Sequence, residues 1–179
     1  MESLEKKRHS LSHVMAYAVK ELFSDIKFGI GPSIENGFYY DIEIKGVKPD
    51  LADLPKIENK MREIINKKLD FKKVDITKSE AEKMFKNQPY KLELIREINE
   101  PTVSVYTVGD FSDLCRGPHV ENTAELKGMG IKLHKISGAY FKGDQNREML
   151  TRIYGFAFNS EKELKEHLNQ IEEALKRDH

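Results

Sequence analysis

Hydrophobic and polar positions along this chain alternate between two periods. Between residues 4 and 23, Leu11, Val14, Met15, Ala18 and Leu22 recur at the 3.6-residue spacing of one helical face. The same spacing returns in residues 53–68, with Ile57, Met61, Ile64 and Ile65, and in a closing stretch with Leu164, Leu168, Ile171 and Leu175. That closing helix opens on Ser160 with Glu163 three positions later, the capping-box pattern; Thr77 and Glu80 repeat the pattern and predict another helix. "YKLELIREI", restarted by Pro89, predicts a short helix carrying Lys91. "FGIGPSIENGFYYDIEI" predicts two strands around a turn at Glu35-Asn36-Gly37. Phe71 to Ile76 reads as a short strand, and "PTVSVYTVGDFSDLC" as a strand followed by a loop. "IKLHKISGAYF" and "TRIYGFAF" add two strands separated by the polar turn Lys142-Gly143-Asp144-Gln145-Asn146. These elements predict an α+β fold, an antiparallel sheet with helices packed mainly on one face. Residues 1–158 read as one domain and residues 159–179 as a closing or linker helix, which lacks a terminal Gly or Pro and reads as cut.

Two histidines sit in the first helix, in "RHSLSH". Residues four apart lie about 40° apart around a helix, so His9 and His13 share a face, roughly opposite the Leu11–Ala18–Leu22 stripe. The pair is expected to face a cleft and to be removable without unfolding the chain. A second pair at the same spacing, Cys115 and His119 in "DLCRGPH", spans Gly117-Pro118, which forces a turn that can bring His119 back beside Cys115. Three imidazoles and a thiolate make a tetrahedral zinc set. The same groups can instead act without metal, as general bases and partners for water. Arg8 and Asp113 stand beside the two pairs and could orient them. His134 lies in an alternating strand and reads as packed or solvated, while His167 and His179 read as solvent-exposed. The basic run "NKMREIINKKLDFKK" reads as a solvated helix face, not an RNA track.

Composition narrows the class. A chain of 179 residues is long enough for a sizeable core, and it holds 30 Lys plus Arg against 30 Asp plus Glu. With a formal charge of zero, a nucleic-acid partner must be held by a local patch or a neighbouring domain. The single cysteine excludes an internal disulfide framework and fits a reducing cytosol. No apolar run approaches the ~20 residues of a membrane span, and "MESLEKKRHS" lacks a signal-peptide core.

"RHSLSH", "GIGPSIENGFYYDI", "DLCRGPHV" and "SGAYFKGDQNREMLTRIYG" together resemble the editing domain of bacterial threonyl-tRNA synthetases, in the threonyl/alanyl second additional domain family. The likeness runs from Arg8 to His179, and the second and fourth motifs are its threonyl-type features. It implies hydrolysis, by an activated water, of serine wrongly esterified to threonine tRNA. The matching site residues are His9, His13, Lys91, Asp113, Cys115 and His119, with Tyr40 near the terminal adenosine. His9 and His13 would bind or activate water, and Lys91 would meet the developing oxyanion or the leaving oxygen. Asp113 would grip the substrate ammonium or orient an imidazole, and Cys115 and His119 would shape the pocket. In alanyl relatives the four His and Cys groups hold zinc; the threonyl type does not require it, so no cofactor is expected and zinc is not expected at full occupancy. The implied partners are the serine-bearing 3′ end of threonine tRNA and the aminoacylation and anticodon-binding domains of a longer, homodimeric, ATP-using cytoplasmic enzyme. "EEALKRDH" resembles the linker helix into that aminoacylation domain, and the family's N-terminal ubiquitin-like domain has no counterpart here. The expectation is the front end of a shorter synthetase. A free-standing trans-editing factor and a non-catalytic tRNA-acceptor-binding module are the alternatives.

Overall fold

The first periodic stretch folds as helix α1 (Ser3–Leu22). The structure is a computed structural model and describes residues 2–178, so the expectation for His179 lies outside the described residues. Chain reversal after α1 gives three strands, β1 (Ile26–Phe28), β2 (Ser33–Ile34) and β3 (Gly37–Ile44). Ile34 pairs with Gly37, which leaves Glu35-Asn36 as a two-residue loop with Asn36 at φ +67°. Helix α2 (Leu54–Asn66) follows, then β4 (Phe71–Thr77), α3 (Lys78–Met84) and α4 (Pro89–Glu97). The chain closes with β5 (Thr102–Val108), β6 (Phe111–Leu114), β7 (Gly130–Tyr140), β8 (Met149–Phe158) and α5 (Glu161–Arg177). Two predicted caps are formed: Thr77 and Ser160 each accept a backbone N–H three residues on, from Glu80 and Glu163.

The fold is α+β with antiparallel sheets, but there are two of them. β1, β3, β8 and β7 lie in that order with β2 alongside β3, and β4, β5 and β6 form a separate three-stranded sheet. The third strand of the second sheet is β6, in a segment whose sequence suggested a loop. Val108 pairs with Phe111 across Gly109-Asp110, and Gly109 supplies the positive φ of +55° that so tight a reversal needs. Asp113 and Cys115 thereby stand on and just beyond a strand instead of in a flexible segment.

The α2 stripe is buried as expected, with Leu54, Ile57, Met61, Ile64 and Ile65 facing the core and the basic run left at the surface. α1 departs from its stripe. Every residue from Ser10 to Val19 is buried, because α2, β2, β3 and β6 surround the helix, while Leu22 lies beyond them and is exposed. The main core joins α1 and α2 to Phe38, Ile42, Leu133, Ile153 and Ala157 of the large sheet. A second core under α3 and α4 holds Ala81, Phe85, Ile95, Val103 and Val105. α5 packs His167 edge-on to Phe156, a β8 residue of opposite strand parity to Ile153 and Ala157, so His167 is half-buried and not solvated. His134 is packed, its ring stacked on Phe156 with centroids 3.6 Å apart.

Candidate active site

Burial of the middle of α1 brings its histidines under the two sheets. Cys115 Sγ lies 3.4 Å from His9 Nε2 and 3.4 Å from His119 Nε2, so the two sequence pairs meet. The turn between Cys115 and His119 is built on Gly117 at φ +77°, where a Cβ would come within 2.4 Å of the Tyr106 hydroxyl. His119 also stacks with His9, ring centroids 4.2 Å apart.

Behind these rings lies a buried ionic group. Lys91 and Asp113, each 2% exposed, form an ion pair with Nζ 2.5 Å from Oδ1, close in distance but outside hydrogen-bond alignment. The Tyr40 hydroxyl donates to Asp113 Oδ2 at 2.7 Å, and His13 Nε2 faces the same oxygen at 3.4 Å. Asp113 is thus engaged by three protein groups, which favours orienting an imidazole over gripping a substrate ammonium. Tyr40 is 1% exposed, so the structure sets it beneath the pocket floor instead of against a nucleoside. Arg8 does not orient the histidines: its Nε donates to the Ala157 carbonyl at 2.8 Å and its guanidinium lies over Phe158.

Two serines of "RHSLSH" escaped the sequence reading. Ser10 Oγ donates to the Lys6 carbonyl, accepts from Val120 N–H, and so must accept from His119 Nδ1–H, all at 3.0 Å. His9 Nδ1 faces the Pro118 carbonyl at 3.3 Å, which calls for a proton on that nitrogen. Both Nε2 atoms are then bare toward the Cys115 thiol. Ser12 Oγ lies 2.6 Å from the Gly31 carbonyl and pins the loop of residues 29–32 that walls the pocket. Gly31 is required there, since a Cβ would lie 2.1 Å from the Tyr40 ring. The one signal the sequence offers for either is a serine in the middle of a helix, where its hydroxyl competes with the backbone unless it has a partner.

The resulting cavity of about 200 Å³ is lined by His9, His13, Lys91, Asp113, Leu114, Cys115 and residues 30–32. It shares Ile30, Leu114 and Cys115 with a neighbouring groove of about 500 Å³, whose walls include Lys73, Leu94, Ile98 and Arg116. Burial governs the titration of the imidazoles and the thiol here. It holds His13 well below the ordinary imidazole value, with the His9 and Lys91 charges adding to the effect. It also lowers His119, helped by His13 and His9, and lowers His9. The Cys115 thiol is pushed up to about 11, again chiefly by burial, so it stays protonated at neutral pH and is a poor nucleophile.

These shifts have a consequence for stability. The unfolded chain binds imidazole protons near pH 6.5 and the folded chain does not, so stability is full above that value and falls as pH drops below it. The slope is up to about 1.4 kcal/mol per pH unit for each fully buried imidazole, here His13 and His119. Thermal melts from pH 8 to 5 should show a plateau and then a steady fall below pH 6.5. A melting temperature unchanged down to pH 5 would mean that these rings are not held neutral.

Comparison with known proteins agrees with this geometry. The profile of the threonyl and alanyl tRNA synthetase second additional domain matches residues 103–154, which include β6, Cys115 and His119. The chain is 49% identical over 180 residues to a threonine–tRNA ligase of Dehalococcoides mccartyi, covering 100% of the chain and 30% of that protein. It is 51% identical to the ligase of Desulforapulum autotrophicum, over 99% of the chain and 27% of the relative. For the ligase of Thermotoga neapolitana the identity is 48%, over 99% and 28%. The chain therefore spans less than a third of the length of these relatives. With its whole length aligned to threonine–tRNA ligases and residues 103–154, Cys115 and His119 among them, matched by the profile, the chain belongs to the threonyl and alanyl tRNA synthetase second additional domain family.

Proposed function

We propose that the chain hydrolyses the ester of serine misattached to threonine tRNA, as the editing part of a threonine–tRNA ligase in the cytosol. The observation that carries this reading is the convergence of neutral imidazoles and a buried Lys91–Asp113 pair on one small cavity. Hydrolysis requires a base to take a proton from water, positive charge for the oxyanion, and a proton for the departing ribose oxygen. His13, neutral and oriented by Asp113, is the base, with His9 beside it to hold the water. Water attacks the ester carbon, the carbonyl oxygen takes up the charge facing the Lys91 ammonium, and the C–O bond to ribose breaks. The proton gathered on the imidazole then passes to the ribose oxygen. The neighbouring groove, apolar with Lys73 and Arg116 among its residues, suits the nucleoside end of the substrate.

Selectivity rests on size. Serine and threonine differ by one methyl, worth about 1–3 kcal/mol in a single binding step, so a second sieve is needed. The wall of residues 30–32 is fixed by Ser12 and by Gly31 against Tyr40, which leaves it little freedom to yield to a methyl. Single-turnover deacylation of Ser-tRNA and Thr-tRNA side by side tests the reading. Rapid loss of serine and slow loss of threonine are expected; equal rates, or none, would overturn it.

The four His and Cys residues also fit a zinc ion. Their donor atoms lie within 4.8 Å of one another, and His13 Nδ1 is buried without a partner among the described residues. A tetrahedral zinc with bonds of ~2.0–2.3 Å has donors roughly 3.3–3.8 Å apart, and the two Sγ···Nε2 distances of 3.4 Å already meet that spacing. Held by His9, His13, Cys115 and His119, zinc would supply Lewis acidity at the ester. We propose that hydrolysis does not depend on it, because the Lys91 ammonium already stands where charge develops. Purified protein should carry zinc well below one per chain and lose no deacylation on chelation. One tightly held zinc per chain, with activity lost on its removal, would refute this.

A further inference from the structure

The motif "SGAYFKGDQNREMLTRIYG" lines no part of the pocket, yet its turn is tied to the helix that carries Lys91. Arg147, in the turn between β7 and β8, grips Glu93 of α4 with both guanidinium nitrogens, Nη1–Oε2 at 3.0 Å and Nη2–Oε1 at 2.7 Å. Lys142 of the same turn adds an ion pair to Glu93 at 3.1 Å and another to Glu97. Beneath them the Phe141 ring packs on Tyr90, centroids 4.8 Å apart, and Arg147 lies over the Phe141 face. At the other end of α4, the Gln88 amide bonds in both directions with the β1 backbone, at Phe28 N–H and the Ile26 carbonyl.

α4 has nine residues, too few to hold a helix in place by its own hydrogen bonds. Glu93 and Glu97 are four apart and share its outer side, whereas Lys91, two residues before Glu93, points about 200° away, into the site. A bidentate Arg–carboxylate pair fixes orientation as well as distance, which a single contact would not. We propose that Arg147 is a positioning residue of the hydrolytic site. Its fork on Glu93, backed by Lys142, sets the rotation and depth of α4 so that the Lys91 ammonium meets Asp113. The role in catalysis rests on the ester-hydrolase reading above; the effect on Lys91 does not.

Two readouts on the whole chain test it. The first is single-turnover deacylation of Ser-tRNA over a range of enzyme concentrations. Arg147→Ala should lower the maximal rate about tenfold or more, the scale of loss when a reacting group shifts by a fraction of an ångström to an ångström, and leave the half-saturating concentration unchanged. Arg147→Lys, which keeps the charge but not the fork, should fall between. The charge swap Arg147→Glu with Glu93→Arg should recover most of the rate. The second readout is acylation of lysines by acetic anhydride, resolved by mass spectrometry. Lys91 should be protected in the wild type and reactive in Arg147→Ala, with other lysines unchanged. Arg62→Ala, which breaks the exposed pair with Glu161 elsewhere on the surface, serves as the control and should alter neither readout.

If Arg147→Ala melts too early to assay, Arg147→Lys and Glu93→Gln carry the same two readouts. Wild-type rate with Lys91 still protected would overturn the proposal, as would a general rise in reactivity at all lysines. A wild type that fails to deacylate Ser-tRNA while Arg147→Ala still exposes Lys91 would leave the clamp standing and remove the hydrolase reading.

Discussion

Lys91→Ala is expected to abolish Ser-tRNA hydrolysis and to cost the chain about 3–5 kcal/mol of stability, the usual result of leaving one member of a buried ion pair unmatched. Read from sequence alone, Lys91 is a charge aimed at the transition state, whose removal would lower the rate and leave the fold intact. Burial changes that. Lys91 and Asp113 are equally enclosed, and among the described residues the ammonium is the only cation facing Asp113 Oδ1, so truncation strands a buried carboxylate. For a chain of this length the loss corresponds to a fall in melting temperature on the order of 10 °C. The double change Lys91→Met with Asp113→Asn separates the two effects. It removes both charges yet keeps an acceptor for the Tyr40 hydroxyl, so most of the melting temperature should return while hydrolysis stays absent. Melting curves beside single-turnover deacylation give the answer. A Lys91→Ala protein that melts like the wild type would mean that the pair is not closed in solution.

Why Lys91 was misjudged shows how far a sequence can be read. α2 was legible residue by residue because it has one buried side, and Ile57, Met61, Ile64 and Ile65 record that side directly. α1 was legible as a helix but not in its orientation. Its polar members Ser10, Ser12 and His13 are buried against partners about 20 to 110 residues away, and no periodicity carries that information. The "DFSDL" strand was hidden for a related reason, since its partner β5 is reached through a two-residue turn whose Gly-Asp order is a weaker hairpin signal than Asn-Gly or Asp-Gly. Site chemistry fared better than site support. Both four-residue pairs could be read from residue type and spacing, because the chain has only six histidines and one cysteine, and Asp113 from its place beside one of the pairs. The groups that hold them depend on tertiary contact: Ser10 under His119, Arg147 on Glu93 and the Tyr40 hydroxyl on Asp113. Arg8, chosen for its nearness in sequence, points away from the rings it was meant to orient.

His9 and His13, alike in sequence, should behave differently when replaced. His13 is 2% exposed, wedged among Tyr40, Phe111 and His119, and faces Asp113. His13→Ala therefore opens a cavity and withdraws a partner from a buried carboxylate, a loss of about 1–3 kcal/mol, well outside the ±0.5 kcal/mol of a surface site. His9 is half-buried at the cavity mouth and its one backbone contact is long, so His9→Ala should stay within about 1 kcal/mol. In rate the order is the same but both effects are large. Removing a general base costs about 10²–10⁴-fold, and His13 bears that cost if it takes the proton from water. His9→Ala should lose less, since it holds the water without accepting its proton. The double variant should show no hydrolysis above the uncatalysed background. Rates must be taken per folded molecule, at a temperature well below the melt of the weaker variant. A double variant hydrolysing Ser-tRNA at the wild-type rate would remove both histidines from the chemistry. If His13→Ala melts early yet keeps full activity per folded molecule, His13 is a core residue and the base is one of the other imidazoles.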